Sequence, residues 1–532
     1  MLETKSHKIS RGISLLEIPT ISLVKSTSGG CDYSQTLKRE ALRCPPSLFS
    51  LSFLSLLSLW LNQHVIVAGP ELQVGRASIH RAMCCVGPET LGPHTAIVPA
   101  GPNTSCGPSS TIRDSASSPS FLHSTQKESR INFRLNGPLY DAVTVAEDDD
   151  WRRIRSVLSP SFTSGRLKEM FGIMKTHSKI LVQNLGKSAT REENVDIKEF
   201  FGAYSMDVVT STAFSVDIDS LNNPKDPFVT NIKKMLKFDL LNPVFLICAI
   251  FPFIAPLMEK MEFSLFPTSV TDFFYAALQK IKSEKMASDH KKKRVDFLQL
   301  MIDSQTAGKT LPGEEHTEKG LSDHEILSQA MVFIFAGYET SSSTLTFFFY
   351  NLATNPEAME KLQEEIDETF PNKAPVDYEA VMNMDYLDAA LNESLRLFPV
   401  ASRLERVCKK TVDINGLIIP KDMVVMIPTY ALHRDPDYWS DPESFKPERF
   451  TKGNKETIDP YMYMPFGLGP RNCIGMRFAQ VTMKLAIVEV LQRFDVSVCE
   501  ETQVPLELGF SGLLAPKDPI KLKLMPRTAP DV

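Results

Sequence analysis

The stretch Phe466–Gly475, with the sequence FGLGPRNCIG, places a single cysteine in a glycine- and proline-containing loop directly before an amphipathic helix. Because the N-terminus of a helix favours negative charge, a thiolate at Cys473 would be stabilised there. Gly469 and Gly475 allow backbone conformations that a Cβ would forbid, which lets the loop approach a flat cofactor. One cysteine in a turn is usually structural, but this whole pattern favours a metal-binding thiolate, with Arg471 directed at an anionic group.

A second motif lies inside a long apolar helical segment. Ala336–Ser341 has the sequence AGYETS, so a carboxyl and a hydroxyl group occur among apolar neighbours, where they are costly unless hydrogen-bonded or used. Gly337 predicts room for a small ligand such as O₂ to approach the helix. Thr340 can hydrogen-bond an oxygen ligand and Glu339 can relay protons. The alternative is a threonine bonded to its own helix and a glutamate that faces solvent.

The cysteine loop resembles the haem-thiolate signature F-x-x-G-x-R-x-C-x-G of the cytochrome P-450 monooxygenases. The resemblance covers about residues 130–532 and is most similar to family 3, subfamily A, with further matching text at Phe201–Asp207, Asp296–Asp303, Leu404–Cys408 and Pro470–Ala479. It implies the cytochrome P-450 fold, mainly α with a small β component, and haem b with Cys473 as the axial ligand of iron. A thiolate on haem iron pushes electron density toward O–O cleavage. The implied reaction inserts one atom of O₂ into a lipophilic substrate, a steroid or xenobiotic, and reduces the other to water.

The resemblance also assigns the side chains that contact the haem. Trp151 and Arg155, four residues apart on one helix face, match the family's W-x-x-x-R motif, whose members reach the haem propionates. Arg406 and Arg471 match further propionate partners, and the matching text begins almost at Arg130. The implied cofactor-binding set is therefore Cys473, Trp151, Arg155, Arg406, Arg471, Phe466 and Arg130.

Glu393 and Arg396 stand three residues apart on one predicted helix face. Such a pair is usually a surface ion pair of little value, but the leucines around it predict burial. It resembles the family's E-x-x-R motif, which Arg449 completes. We interpret these three residues as structural, because removing one member of a buried ion pair costs roughly 3–5 kcal/mol.

A substrate pocket is implied by the resemblance alone. Apolar, aromatic-lined cavities suit bulky lipophilic molecules. The implied lining residues are Phe133, Thr144, Phe238, Phe245, Phe335, Ala336, Val400, Ala401, Leu404 and Leu513.

Electron supply is expected to come from a partner, because no glycine-rich dinucleotide fingerprint follows a strand in this sequence. The resemblance implies an NADPH-dependent cytochrome P-450 reductase docked on the thiolate side, with a b-type cytochrome as a possible second donor. A basic face for an acidic partner would come from Arg152, Arg153, Lys168, Arg477 and Lys484.

Composition divides the chain near residue 130. The 532 residues carry a net charge of −6, which argues against a nucleic-acid partner. The first 130 residues carry 12 Lys+Arg, 8 Asp+Glu and five of the nine cysteines, without sustained periodicity. We predict an atypical, poorly ordered segment rich in Ser, Pro and Cys over residues 1–129 and the haem domain over 130–532, with the early β-sheet of the fold incomplete. A mispredicted or spliced start, a divergent extension and a separate domain all stay open as explanations.

Two apolar stretches bear on membrane attachment. Ser47–Leu61 has 15 uncharged residues, fewer than the roughly 20 that a spanning helix needs, and is interpreted equally as a signal-anchor or a hydrophobic loop. Leu240–Met258 is interrupted by three prolines and favours short helices, buried or on a membrane surface. The resemblance implies the cytosolic face of the endoplasmic reticulum membrane, the microsomal fraction.

Hydrophobic periodicity predicts the helices and strands. The predicted helices span about 150–159, 164–186, 197–213, 264–287, 320–352, 355–369, 387–397 and 474–493. Extended segments are predicted around 403–418, 422–427 and 505–525.

Two other functions compete with the monooxygenase. One is a haem-thiolate isomerase that acts on a peroxide without a reductase; Glu339 and Thr340 argue against it, because such an enzyme needs no proton relay. The other is a catalytically impaired haem-binding protein, suggested by the unusual residues 1–129. NADPH dependence separates the monooxygenase from the isomerase, and haem content after purification separates it from the impaired haem-binding protein.

Overall fold

The computed structural model describes residues 95–96, 139–236, 264, 266–287, 296–307, 320–414, 417–421, 423–510 and 513–527. This part of the chain is mainly helical, with small β-sheets, as the resemblance predicts. The predicted residues and stretches that lie outside the described residues are Arg130, Phe133, Phe238, Phe245, Ser47–Leu61 and Leu240–Met258. None of the described helices has both the length and the apolar character needed to span a bilayer.

The α-helices are numbered along the chain. They are α1 (Asp148–Leu158), α2 (Ser164–Thr190), α3 (Ile197–Phe214), α4 (Pro227–Leu236), α5 (Thr268–Ala287), α6 (Phe297–Ala307), α7 (Asp323–Thr354), α8 (Pro356–Thr369), α9 (Tyr378–Met382), α10 (Asp385–Leu397), α11 (Thr429–Leu432), α12 (Lys452–Lys455) and α13 (Met476–Leu491). Short 3₁₀ helices occur at Ser159–Phe162, Pro371–Lys373 and Pro447–Phe450.

The strands form two three-stranded sheets and two hairpins in the described residues. They are β1 (Thr95–Ala96), β2 (Val195–Asp196), β3 (Leu404–Val407), β4 (Val412–Ile414), β5 (Leu417–Ile419), β6 (Val424–Ile427), β7 (Phe494–Val498), β8 (Leu508–Phe510), β9 (Leu514–Pro516) and β10 (Lys521–Pro526). One sheet has the order β1-β6-β3, with β1 parallel to β6, and the other has the order β2-β10-β7. The hairpins pair β4 with β5 and β8 with β9.

The predicted helices are confirmed, with ends that shift by a few residues; the last, for example, runs over Met476–Leu491. Periodicity did not predict five of the helices, α4, α6, α9, α11 and α12, of which α9, α11 and α12 have only four or five residues. Helices α4 and α6 begin after aspartates that bond to their first turn. The carboxylate of Asp226 accepts the backbone N–H of Phe228 at 2.7 Å, and that of Asp296 accepts the N–H of Gln299 at 2.8 Å. The long extended segments are broken into separate short strands by turns.

The centre of the fold is α7, which packs along α3. Ser205 on α3 donates its hydroxyl to the carbonyl of Gly337 on α7 at 2.7 Å. A Cβ at Gly337 would lie 2.3 Å from Val209 Cγ2, so the two helices approach too closely for any side chain there. Tyr204 on the same helix donates its hydroxyl to the carbonyl of Thr482 at 2.9 Å. Helix α3 therefore joins α7 to α13, the helix that follows the cysteine loop.

Candidate active site

The loop before α13 is shaped by backbone hydrogen bonds and two left-handed glycines. Gly467 has φ of 72° and Gly469 has φ of 84°, conformations that other residues rarely adopt. The N–H of Cys473 donates to the carbonyl of Phe466 at 2.8 Å, which closes the loop just before the N-cap residue of α13, Gly475. The sequence thus fixes the cysteine against a helix N-terminus, as the pattern predicts.

The thiol of Cys473 responds to two opposing influences. The residue as a whole is exposed, but the protein around the sulfur limits its hydration, and this desolvation raises the pKa of the thiol. The backbone N–H of Gly475 and the guanidinium of Arg155 lower the pKa and offset only part of that rise. The helix N-terminus therefore lowers the pKa of the thiol, as the sequence predicts, but desolvation has the larger effect. Coordination to a metal ion deprotonates a thiol outright, so the raised pKa does not oppose iron binding.

Three predicted haem-contacting side chains gather at this loop. Arg155 on α1 donates from Nη2 to Asn472 Oδ1 at 3.2 Å. The guanidinium of Arg471 lies 4.3 Å above the ring centre of Trp151 and donates from Nη2 to the carbonyl of Ala146 at 2.8 Å. Helix α1 and the residues before it are thereby attached to the cysteine loop.

Arg155 and Arg406 share an unusual electrostatic state. Burial lowers the pKa of each guanidinium, yet in the described part of the chain neither forms an ion pair with a carboxylate; Arg406 donates only to the adjacent carbonyl of Glu405 at 2.7 Å. A partly buried cation without an anionic partner is unfavourable. The arrangement therefore fits a cofactor that brings its own carboxylates, as the propionates of haem do.

The middle of α7 has one accessible face. Residues 325–334 and 341–352 are all buried, whereas Phe335, Ala336 and Thr340 are partly exposed. Thr340 donates its hydroxyl to the carbonyl of Ala336 at 2.7 Å, so it is bonded to its own helix. This accessible face inside a buried helix is suited to contact a ligand.

Glu339 does not face solvent. One carboxylate oxygen accepts from Lys198 Nζ at 2.5 Å and from Ser343 Oγ at 3.1 Å. The side chain of Glu339 is 11% exposed and that of Lys198 is 28% exposed, so the lysine forms the more accessible end of the pair. The carboxylate next to Thr340 is thus held by a cation from α3.

The structure corrects the interpretation of Gly337. We predicted that its missing side chain gives a small ligand access to α7, but the position that its Cβ would occupy is filled by Val209 of α3. Gly337 is therefore required for close helix packing.

The Glu393 cluster is closed within the protein. Glu393 and Arg396 are both 0% exposed, and their two side-chain hydrogen bonds measure 2.7 and 2.8 Å. Arg449 Nε reaches Glu393 at 3.2 Å, and the carbonyls of His433 and Pro442 each accept from Arg396 at 2.8 Å. Every partner of this cluster is supplied by the chain itself.

The predicted substrate-side residues are only partly brought together. The carbonyl of Val400 accepts the N–H of Leu514 at 2.9 Å, which sets the segment at Leu513 beside the start of β3. Leu404 lies 4.0 Å from the position of a Cβ at Gly467, near the cysteine loop. The exposure of the set varies: Val400 is buried, Phe335, Ala336, Ala401, Leu404 and Leu513 are partly exposed, and Thr144 is exposed.

The predicted basic docking face loses two members. Lys484 is 2% exposed and pairs with Asp388 at 3.1 Å, and Arg153 is turned inward to Glu325 at 2.5 Å. Each is used inside the fold, because α13 and α1 turn these positions toward neighbouring helices. Arg152, Lys168 and Arg477 are exposed, although Arg152 pairs with Asp149 and Lys168 with Glu379.

Sequence reasoning missed several partners of the predicted residues. Two of them are neutral, Asn472 and the carbonyl of Ala146, and the third is the cation of Lys198; each holds a predicted residue in place. Asn472 adjoins Cys473 and could have been found from that position. Lys198 is 141 residues from Glu339, and no sequence pattern connects them.

Similarity to known proteins shows the family to which the chain belongs. A family model described as cytochrome P-450 matches residues 119–524. The chain belongs to the cytochrome P-450 family. The killifish Fundulus heteroclitus has a cytochrome P-450 3A30 that is 71% identical over 399 residues, covering 75% of this chain and 79% of that protein.

Two further relatives agree with this placement. Cytochrome P-450 3A27 of Oncorhynchus mykiss is 70% identical over 398 residues, covering 75% of this chain and 76% of the relative. Cytochrome P-450 3A12 of Canis lupus familiaris is 54% identical over 399 residues, covering 74% and 78%. These similarities confirm family 3, subfamily A, and identify the chain as a P-450 monooxygenase with haem-thiolate iron. The family match starts at residue 119, before the predicted boundary at 130; the division into a segment and a haem domain stays a prediction.

Proposed function

We propose that this P-450 inserts one oxygen atom of O₂ into lipophilic substrates, steroids and xenobiotics, with electrons from an NADPH-dependent cytochrome P-450 reductase. In balanced form, a C–H bond of the substrate becomes C–OH, NADPH is oxidised to NADP⁺ with uptake of one proton, and the second oxygen atom leaves as water. Haem bound through Cys473 supplies the reductive activation of O₂, with the thiolate favouring O–O cleavage.

The observation that carries the proposal is the pair of desolvated guanidiniums, Arg155 and Arg406, that have no carboxylate partner in the described residues, with Arg155 set beside the Cys473 loop. We assign these two, with Arg471 and Trp151, to hold the haem propionates. Carboxylates bound by Arg155 and Arg406 remove the free-energy cost of burying two cations without an anionic partner. Phe466 closes the loop through its carbonyl and is assigned to the same site.

Proton delivery is assigned to Thr340 and Glu339. The Thr340 hydroxyl can turn from the carbonyl of Ala336 to an acceptor on the accessible face of α7. Glu339 holds a proton-accepting carboxylate beside it, and the partly exposed Lys198 is where that carboxylate meets solvent. General acid–base groups of this kind contribute roughly 100- to 10,000-fold.

Substrate class follows from the apolar side chains on the accessible faces. Phe335, Ala336, Ala401 and Leu404 are partly exposed and carry no charge, which favours bulky lipophilic ligands. The remaining proposed lining residues, including Thr144, Val400 and Leu513, extend this set.

The partner and the location complete the proposal. Arg152, Lys168 and Arg477 supply the exposed positive charge for an acidic reductase, with a b-type cytochrome as a second donor. Attachment to the cytosolic face of the endoplasmic reticulum membrane is proposed from the likeness to subfamily 3A.

The first test is the reduced, CO-bound difference spectrum of the full chain, followed by turnover of lipophilic substrates with reductase and NADPH. We expect the red-shifted Soret band of thiolate-ligated haem and NADPH-dependent hydroxylated products. Cys473→Ala should lose the band, whereas Cys499→Ala, a partly exposed cysteine away from the loop, should keep it.

The competing functions are separated by the same experiment. Product formed from a peroxide without NADPH would favour an isomerase. Substoichiometric haem in the purified wild-type chain would favour an impaired haem-binding protein. Either result would remove the monooxygenase assignment from this chain.

A further inference from the structure

A fully buried glutamine on α7 is hydrogen-bonded to the main chain of a distant segment. Gln329 is 0% exposed, and its Oε1 accepts the backbone N–H of Val143 at 2.6 Å. Its Nε2 donates to the carbonyl of Asp141 at 3.0 Å. One side-chain amide therefore satisfies two backbone groups two residues apart, as a neighbouring strand would.

The segment that Gln329 holds, residues 139–146, consists of turns and has no helix or strand to fix it. Its buried side chains Ala142, Val143 and Ala146 enter the main core. His324, one turn and a half earlier on α7, contacts the carboxylate of Asp141 at 2.7 Å. The attachment to α7 is thus concentrated at residues 141–143.

The other end of the segment is fastened to the cysteine loop. The carbonyl of Ala146 accepts from Arg471, two residues before Cys473. Between the two attachments lies Thr144, which is exposed while Val143 and Ala146 are buried. The segment therefore connects α7 to the cysteine loop, and Thr144 lies between its two points of attachment.

We infer that Gln329 is a positioning residue that sets the place of Thr144 and so helps to decide which carbon of a substrate is oxidised. The inference rests on the proposed function, in which Thr144 lines the substrate side. Gln329 itself is buried and acts only through the segment. Loss of its amide would leave the loop held by its apolar contacts, by His324 and by Arg471, with no hydrogen bond from α7 to the main chain of residues 141 and 143, so that Thr144 would occupy a range of positions.

The test compares four variants of the full-length haem protein. Gln329→Met keeps the length of the side chain and removes both hydrogen bonds. Gln329→Glu keeps the acceptor for Val143 and replaces the amide donor to Asp141 with a carboxyl group that donates only when it is protonated. Ser328→Ala, at the buried neighbouring position, is the matched control. Thr144→Val is made alone and together with Gln329→Met.

The readouts are the CO difference spectrum and the ratio of products from testosterone, a steroid with several oxidisable carbons. We expect Gln329→Met to keep the thiolate band, change the product ratio roughly threefold to tenfold and raise KM more than it lowers kcat. Gln329→Glu should lie between Gln329→Met and wild type, and Ser328→Ala should match wild type. In the double variant the change should be smaller than the product of the two single changes, because both act through position 144.

Three results would overturn the inference. The first is an unchanged product ratio in Gln329→Met. The second is a double variant whose change in product ratio equals the product of the two single changes. The third is loss of the thiolate band in both Gln329→Met and Gln329→Glu, because the glutamine would then be purely structural. If only the methionine variant loses haem, the product ratio of the glutamate variant decides. Failure of the proposed function is seen separately, as absence of any NADPH-dependent product from the wild-type chain.

Discussion

Two groups of arginines in this P-450 differ in where their anions come from. In the closed cluster, Glu393, Arg396 and Arg449, the carboxylate and both guanidiniums belong to the chain, and backbone carbonyls take the remaining donors. The one carboxylate of Glu393 is shared by both guanidiniums, and the chain supplies the acceptors of all these hydrogen bonds. Such a cluster joins α10 to the 3₁₀ helix at Pro447–Phe450 and holds the fold.

The open cluster, Arg155 and Arg406, is built differently. Its described hydrogen bonds go to neutral oxygens, those of Asn472 and the backbone of Glu405. Arginine is suited to bind carboxylates in pairs of hydrogen bonds, so guanidiniums that meet only neutral oxygens are arranged for an anion from elsewhere. Burial alone does not separate structural from cofactor-binding arginines; the source of the counter-charge does.

The largest effect is expected from opening the closed cluster. Glu393→Ala leaves two buried guanidiniums without their carboxylate and should cost roughly 3–5 kcal/mol. We expect loss of folded, haem-containing protein and not merely slower turnover. Haem content per chain and the yield of soluble protein measure this.

Glu379→Ala is the matched control, because that carboxylate is 63% exposed and pairs with Lys168 at the surface. Surface ion pairs contribute about 0–1 kcal/mol, so its haem content should equal that of wild type. Normal haem content in Glu393→Ala would contradict the structural role of the closed cluster.

A smaller and different effect is expected from the open cluster. Arg155→Leu or Arg406→Leu removes the charge-assisted contact that we propose to a haem propionate. Such a contact is worth about 1.5–3 kcal/mol, so its loss should speed haem loss roughly 10- to 100-fold. The yield of folded protein should not fall, because no internal ion pair is broken. Transfer of haem to an excess of a haem-scavenging protein gives the rate.

Arg403→Leu serves as the control for that experiment, since Arg403 is exposed and lies three residues before Arg406. It should release haem at the wild-type rate. If Arg155→Leu and Arg406→Leu instead reduced the folded yield as strongly as Glu393→Ala, the distinction between the clusters would be lost.

The sequence was sufficient for residues whose neighbours are close in the chain. The E-x-x-R spacing and the leucines around it predicted burial of Glu393 and Arg396, and both are fully buried. Of the two glycines predicted to need special backbone conformations, Gly469 takes a left-handed one, but Gly475 has φ of −86°, which any residue can adopt; the second left-handed glycine is Gly467, which was not predicted. Periodicity placed the long helices because each buries one continuous apolar face.

The sequence did not predict the contacts between segments that are far apart in the chain. Gly337 faces Val209, and Glu339 faces Lys198, each more than 120 residues away. Lys484 on an amphipathic helix was predicted to be a surface cation, but it is buried and pairs with the partly exposed Asp388. The pKa of Cys473 likewise depends on burial, which the local helix N-terminus does not reveal.

The last prediction concerns a histidine that links the closed cluster to the cysteine loop. The carbonyl of His433 accepts from Arg396, and its Nε2 accepts the N–H of Met464 at 2.9 Å, nine residues before Cys473. Desolvation, with smaller contributions from Arg396 and Arg434, lowers the pKa of His433 from 6.5 to about 3. The folded protein therefore keeps the imidazole neutral, while the unfolded chain protonates it.

Between pH 6.5 and about 3 the unfolded state binds this additional proton, so the contribution of His433 to stability falls as the pH falls, by up to about 1.4 kcal/mol per pH unit. His433→Gln, whose side chain can still accept from Met464, should show a shallower loss of stability between pH 6.5 and 5.5, above the range where most carboxylates titrate. The denaturant midpoint of the Soret signal at each pH measures it. Leu432→Met, a volume-conserving change at the buried neighbour, should keep the wild-type slope even if its midpoint moves. Parallel slopes for wild type and His433→Gln would show that His433 does not account for the loss of stability in acid.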